Sequence, residues 1–481
     1  MKKRIQLSIL FMICSLQTAV MAQNEQPLNP TNPTNPTNTQ YFTDKAAAVK
    51  LPEAYIALQN KDYDKALGIY QHFAELGNAT AEYQLGYLYQ NGLGTPKNLD
   101  LAAAWYTKAS SQGLPEAQFA QGMMFYYGAG LTQGFSEALT LFNKAAESGN
   151  ALAQYMLGCI YHQGHGGTAQ DLERAANWYT KAATAGLAKA QYNIGLMYYL
   201  GENGGKDFRR AFNWFGMAAQ QGLPSAQFML GLMYSLGQGV TIDKNQAFYW
   251  YTQAAQKNSR EAEYNLGIFY FNGIGTPVNL QMAVDWVSKA ADLELARAEY
   301  FMGYLNFNGL GIPKNTQKAL EWYTKASEQN FAEAQFALGY LYHNGLGVVK
   351  DERQAFAWFM QAAKQNLINA EYMVGLFYQQ GLGVPEDPKM AAYWYTKAAE
   401  QGMDNAQLLL GVMYGKGQGV PKDLRMAYTW LNLAATSSNP QIRDAAMKMR
   451  DDIGKALTPA DINAAKELSQ NYYSKYANPS D

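Results

Sequence analysis

The residues with the most reactive chemistry are four histidines and two cysteines. His162 and His165 form an H-x-x-H pair with a turn beginning between them. Metal centres recruit three or four protein ligands, so two imidazoles alone make a poor site. His343 stands at the same point of a later repeat as His162, which marks a tolerated position rather than a ligand. Cys14 falls in the N-terminal apolar segment, leaving Cys159 as the one cysteine of a processed chain. One cysteine closes no intrachain disulfide. Its position is elsewhere filled by Tyr, Leu, Met, Ile and Val, so Cys159 reads as a small apolar filler. No S-x-x-K, G-x-S-x-G or G-K-[ST] occurs. No catalytic, metal or cofactor-binding residue is therefore assigned, and the chain reads as a non-enzyme. Charge excludes another class. Lys plus Arg total 38 and Asp plus Glu 39, a net −1, with none of the clustered basic excess of a nucleic-acid binder.

What does recur is spacing. A glycine falls at Gly86, Gly122, Gly158, Gly195, Gly231, Gly267, Gly303, Gly339, Gly375 and Gly411, at 36-residue intervals with a single 37 near Gly166–Gly167. Five residues before each stands an alanine, from Ala81 to Ala406, and two more alanine positions follow, Ala102 and Ala109 in the first copy and Ala427 and Ala434 in the last. Small residues at fixed phase let helices approach closely. Paired turn glycines such as Gly92 and Gly94 or Gly381 and Gly383 come next. An Asn or Asp N-cap then opens a second helix, with Gly134 the exception. That helix stops at a Gly or Asn, except at Glu294 and Ser438. Each copy thus reads as two helices around a tight turn. Nine tryptophans share one column, Trp105 through Trp430, with Leu141 in the second copy. The expectation is one core knob per repeat, seated opposite the small residues. Trp286→Ala would then cost about 3–5 kcal/mol.

The motifs A-x-x-x-L-G, G-x-G-x-P-x-D, A-x-x-W-Y and K-A-A-x-x-G at this period resemble those of the Sel1-like repeat family, a relative of the tetratricopeptide repeats. The resemblance covers roughly residues 79–438. It implies an all-α fold, an α/α superhelical solenoid of helix-turn-helix repeats, whose first helices line a concave surface. It also implies a scaffold or adaptor role in envelope signalling, assembly or contact with host proteins. Cysteine-rich relatives are associated with β-lactams, but they pair cysteines within each repeat. This chain does not, so that activity and that disulfide framework do not transfer.

The flanks complete the organisation. Residues 1–22 read as a signal peptide, with Lys2, Lys3 and Arg4 ahead of an interrupted apolar run and Val20-Met21-Ala22 before a cut. A membrane anchor is the alternative, but the clean apolar run is short of the roughly 20 residues a span needs. Ile13 argues against lipidation at Cys14. Residues 23–45, with N-P-T triplets, read as a disordered linker. Residues 46–78 read as a tetratricopeptide-like capping helix pair and 439–481 as C-terminal capping helices. A stack needs such atypical ends. These features place the processed protein in the periplasm, secreted or on the outer surface, without stable membrane insertion.

Within each first helix, the positions five and one before the glycine and two and three after it are apolar and read as core. The opposite positions vary. They are rich in aromatics, Met and Asn, and the candidate partner-binding residues are Tyr126, Tyr199, Met229, Leu236, Phe271, Phe301, Tyr304, Phe307, Tyr340 and Met373. Apolar patches edged by amides point to a protein or peptide ligand. The other reading is a cell-wall-associated hydrolase or a module binding β-lactams or peptidoglycan.

Overall fold

The structure is a computed structural model that describes residues 45–202 and 204–477. The expected signal peptide and nearly all of the linker lie outside the described residues. The fold is all-α: 24 helices and no strand among the described residues. The chain divides into two compact units, one ending at Trp250 and one beginning at Tyr251.

The first unit opens with α1 (Lys45–Gln59) and α2 (Tyr63–Glu75). Helix pairs follow as α3 (Ala79–Asn91) with α4 (Leu99–Ser111), α5 (Pro115–Tyr127) with α6 (Phe135–Glu147), α7 (Ala151–Gln163) with α8 (Leu172–Thr184), and α9 (Ala188–Leu200) with α10 (Phe208–Gln220). Then comes α11 (Pro224–Leu236), and α12 (Lys244–Ala255) crosses the division. The second unit continues with α13 (Arg260–Asn272) and α14 (Leu280–Asp292), α15 (Ala296–Asn308) and α16 (Thr316–Glu328), α17 (Ala332–Asn344) and α18 (Glu352–Ala363), α19 (Ile368–Gln380) and α20 (Pro388–Glu400), and α21 (Asp404–Lys416) and α22 (Leu424–Ala434). It closes with α23 (Pro440–Gly454) and α24 (Pro459–Ala477).

The local reasons are those the residues dictate. First helices end where a glycine such as Gly92 or Gly381 takes a left-handed φ, and second helices start where Asn98, Asp171, Asn279 or Asp387 accepts a hydrogen bond from a free backbone N–H. Glu294 departs from Gly and Asn in identity alone. Its φ is +57°, as at Asn258, Asn330 and Asn366, so the backbone demand persists where the side chain does not suit it. The second glycine of the turn has another task. A Cβ on Gly311 would lie 2.5 Å from the Leu280 carbonyl oxygen, at the start of the preceding repeat's second helix. Only a bare backbone lets successive repeats approach this closely.

The core corrects one expectation. The side chain facing the repeated glycine is not the tryptophan but the residue after it. Tyr106, Phe142, Phe215, Val287, Phe359, Tyr395 and Leu431 are fully buried. A Cβ on Gly86, Gly158 or Gly375 would sit 2.8, 2.5 or 2.7 Å from the ring of Tyr106, Tyr179 or Tyr395. Successive residues on a helix are 100° apart, so this packing turns the tryptophan toward the rim. Trp105, Trp178, Trp214, Trp250, Trp286, Trp322 and Trp358 are half-buried, while Trp394 and Trp430 are buried. Trp322 leans on the cluster holding Val287, and Trp358 on that holding Tyr323, each belonging to the preceding repeat. A lysine covers several of these rings: Lys108 lies 3.8 Å from the Trp105 centroid, Lys181 4.1 Å from Trp178, Lys289 3.9 Å from Trp286 and Lys325 4.4 Å from Trp322.

Repeats are also joined by a buried polar column four residues before the glycine, filled by Gln or Glu. Gln154, Gln191, Gln227 and Gln407 each donate through Nε2 to a carbonyl at the end of the preceding second helix: Ala146, Ala183, Ala219 and Ala399, at 3.0–3.2 Å. A glutamine at the end of the repeat's own second helix donates back, Gln221 to Gln191 and Gln365 to Gln335, both at 2.8 Å. At the C-terminal end, Trp430 packs on Tyr472 with centroids 4.5 Å apart, and Asn432 Nδ2 donates to Ser469 Oγ at 2.8 Å.

Candidate protein-binding face

In the first unit the candidates are occupied with structure. Tyr126 is half-buried on α5 and shares a 2.9 Å hydrogen bond with His165 Nδ1 in the next repeat's turn, with Phe135 packed edge-on. Tyr199 is buried and donates to Gln238 Oε1 at 2.9 Å, again one turn further along. His162 does the same with Glu202, at 3.0 Å. At these three junctions the side chain four residues after the repeated glycine thus reaches the turn of the following repeat. The H-x-x-H histidines serve two different junctions, His162 forward and His165 backward, so their sequence spacing brings no common ligand to them. His343 instead meets Glu352 of its own repeat at 2.7 Å. Met229 is 1% exposed and belongs to the core. Tyr199 and Met229 are therefore buried in the structure and present little surface. Leu236 alone in this set is exposed.

The second unit differs. Phe271 on α13, Phe301, Tyr304 and Phe307 on α15 and Tyr340 on α17 occupy three successive first helices. Phe301 stacks on Tyr304 with centroids 5.6 Å apart and meets Phe271 edge-on at 5.2 Å; Phe307 meets Tyr340 edge-on at 6.5 Å. Phe271, Phe301 and Phe307 are half-buried and fix the cluster against the repeats, whereas Tyr304 and Tyr340 are 37% and 47% exposed. Met373 on α19 is half-buried against the core around Phe359 and Phe377. Two cations edge the patch: Lys314 lies 5.5 Å from the Phe307 centroid, and Arg297 5.3 Å from that of Tyr264, which itself packs on Phe301. Burial and nearby Glu333 push the Tyr300 hydroxyl's pKa up, so that neighbouring phenol stays protonated.

Aromatic faces with hydroxyls and flanking cations can bury apolar groups and accept or donate single hydrogen bonds. Among the described residues the one thiol is Cys159, and burial raises its pKa. Sequence reading missed the staple between repeats. Its only trace was the offset of 39 or 40 residues linking Tyr126 to His165, Tyr199 to Gln238 and His162 to Glu202.

Comparison with known proteins gives these features a setting. The family model described as Sel1 repeat matches ten consecutive segments, from 79–114 to 404–439. Among solved structures, c5321, a protective antigen present in uropathogenic Escherichia coli strains, is 33% identical, with 90% of this chain and 93% of that chain covered and a TM-score of 0.79. A Sel1 repeat protein from Oxalobacter formigenes is 30% identical over 65% of this chain and 90% of that one, with a TM-score of 0.53. No curated protein matches the chain.

Proposed function

Because the chain belongs to the Sel1 repeat family, we propose that it is a non-catalytic scaffold that binds a polypeptide through the first-helix face of its second unit. The observation that carries this reading is the aromatic patch at Phe271, Phe301, Tyr304, Phe307 and Tyr340, anchored from beneath and open above at Tyr304 and Tyr340. Tyrosines on rigid helices give large contact area at little entropic cost, which is why they dominate binding hot spots. The flanking Lys314 and Arg297 favour a partner with acidic or main-chain carbonyl groups beside its apolar anchors. Export is part of the proposal. The N-terminal signal reading supports it, as does likeness to a protective antigen. No helix among the described residues is long and apolar enough to cross a membrane.

The test is to pan a random peptide display library against the purified protein. Peptides should enrich, and Tyr304→Ala with Tyr340→Ala should weaken them at least tenfold. Tyr393→Ala, on an exposed second-helix position, should leave them unchanged. Peptides insensitive to the double variant would refute the assigned face.

A further inference from the structure

The buried polar column carries glutamine in six repeats and glutamate in four: Glu82, Glu263, Glu299 and Glu371. The glutamines show what the position asks of its occupant. Gln154, Gln191, Gln227 and Gln407 donate to the last carbonyls of the preceding repeat, Gln335 donates to the Asn330 side chain, and where a glutamine closes the repeat's own second helix the column accepts from that amide. Three of the four glutamates keep the second bond. Gln112 donates to Glu82 Oε2 at 2.7 Å, Gln329 to Glu299 at 2.8 Å and Gln401 to Glu371 at 2.6 Å. An ionised carboxylate has no hydrogen with which to make the first bond. A protonated carboxyl does have one, and is then the glutamine's counterpart in shape and bonding. For Glu263, Glu299 and Glu371 the equivalent acceptors, eight residues upstream, are the carbonyls of Ala255, Ala291 and Ala363. Glu263 is the most exposed to this conflict. It is 2% solvent-accessible, its Oε2 has no hydrogen-bond partner, and Leu293 stands where other repeats place the donating glutamine.

We propose that these carboxyls are proton-operated latches between successive repeats, closed when protonated and released when ionised. Each faces one lysine from the repeat's own second helix: Lys108, Lys289, Lys325 and Lys397 respectively. The same lysines lie over the column's tryptophans, Lys397 at 5.4 Å from Trp394. Glu261 faces Glu263, and Glu294 and Glu328 face Glu299, as like charges that favour the proton. Glu371 has Lys397 and Gln401 opposite it. Burial outweighs these lysines and raises all four carboxyls, Glu371 to about 7. The native state therefore binds more protons than the unfolded state between the ordinary 4.5 and about 7. The stabilisation is complete below that window and is lost as pH rises through about 7. The repeats hold together most firmly in mild acid and loosen in alkali.

The experiment compares melting of the full chain with that of Glu371→Gln, and with the triple variant Glu263→Gln, Glu299→Gln, Glu371→Gln, from pH 5 to pH 8. Glutamine already fills this position in six repeats, so the variants should fold. Both should match the parent at pH 5 and melt several degrees above it at pH 8, the triple by more. Hydrogen exchange in α19 and α20 should slow in Glu371→Gln at pH 8, relative to the parent at the same pH, and not at pH 5. A difference that stays constant with pH, or variants less stable than the parent at pH 8, would overturn the latch. The result is independent of whether the aromatic face binds peptides.

Discussion

Gly303 on α15 and Tyr323 on α16 meet so closely that a Cβ on the glycine would lie 2.5 Å from the tyrosine ring. The ring is 5% exposed and held by Leu338 and Leu341, so it has nowhere to retreat. Gly303→Ala should destabilise the protein by about 1–3 kcal/mol in a denaturant titration, the range for overpacking a filled core. Gly216 is the control. It lies in α10, where an added methyl group would meet nothing within 4 Å. Gly216→Ala should stabilise by about 0.5–1 kcal/mol, the ordinary helix gain. Equal effects at the two sites would mean that the repeated glycine serves flexibility rather than fit.

The tryptophan and its neighbour should behave differently. Phe359 is fully buried, and Phe359→Ala should cost about 3–5 kcal/mol. Trp286 is half-buried and covered by Lys289, so Trp286→Ala should cost about 1–2 kcal/mol rather than the 3–5 its sequence column suggests. Trp430, 1% exposed beneath Tyr472, should return to the larger cost. Denaturation midpoints of the three variants rank these directly.

That pair shows where sequence reading succeeds and where it stops. The 36-residue period, the turn glycines and the Asn and Asp caps act through short-range backbone rules, and they determine helix, turn and fold class. The choice between Trp322 and Tyr323 as core knob is one of helix phase: the two lie 100° apart, and both are aromatic. The facing element decides it, through the space above Gly303. The candidate face divides for a similar reason. Tyr126 and Tyr199 hold the same position as Phe271 and Phe307. A His or Gln waits in the next turn for the first two, and Leu310 or Leu346 lies beside the others. Only knowledge of that neighbour separates a staple from the base of a surface patch.

Cys159 gives a chemical check on packing in the first unit. Burial raises its thiol pKa, and the hydroxyls of Tyr179 and Tyr155 offset this only in part. At pH 8, reaction with a thiol-specific reagent such as DTNB should be at least tenfold slower than for a free cysteine, and should reach the free rate in denaturant. Immediate labelling of the native protein would contradict the packing around α7 and α8.

The exposed tyrosines of α15 and α17 are proposed to contact a polypeptide partner, which photo-crosslinking can test in place. The most direct measurement places a benzophenone amino acid at position 304 or 340, and at position 393 for comparison, then irradiates each protein with the peptides selected on the parent chain. Covalent adducts should form from 304 and 340, with none above background from 393. Adducts from 393 alone, or equal yields at all three, would contradict the proposed contact.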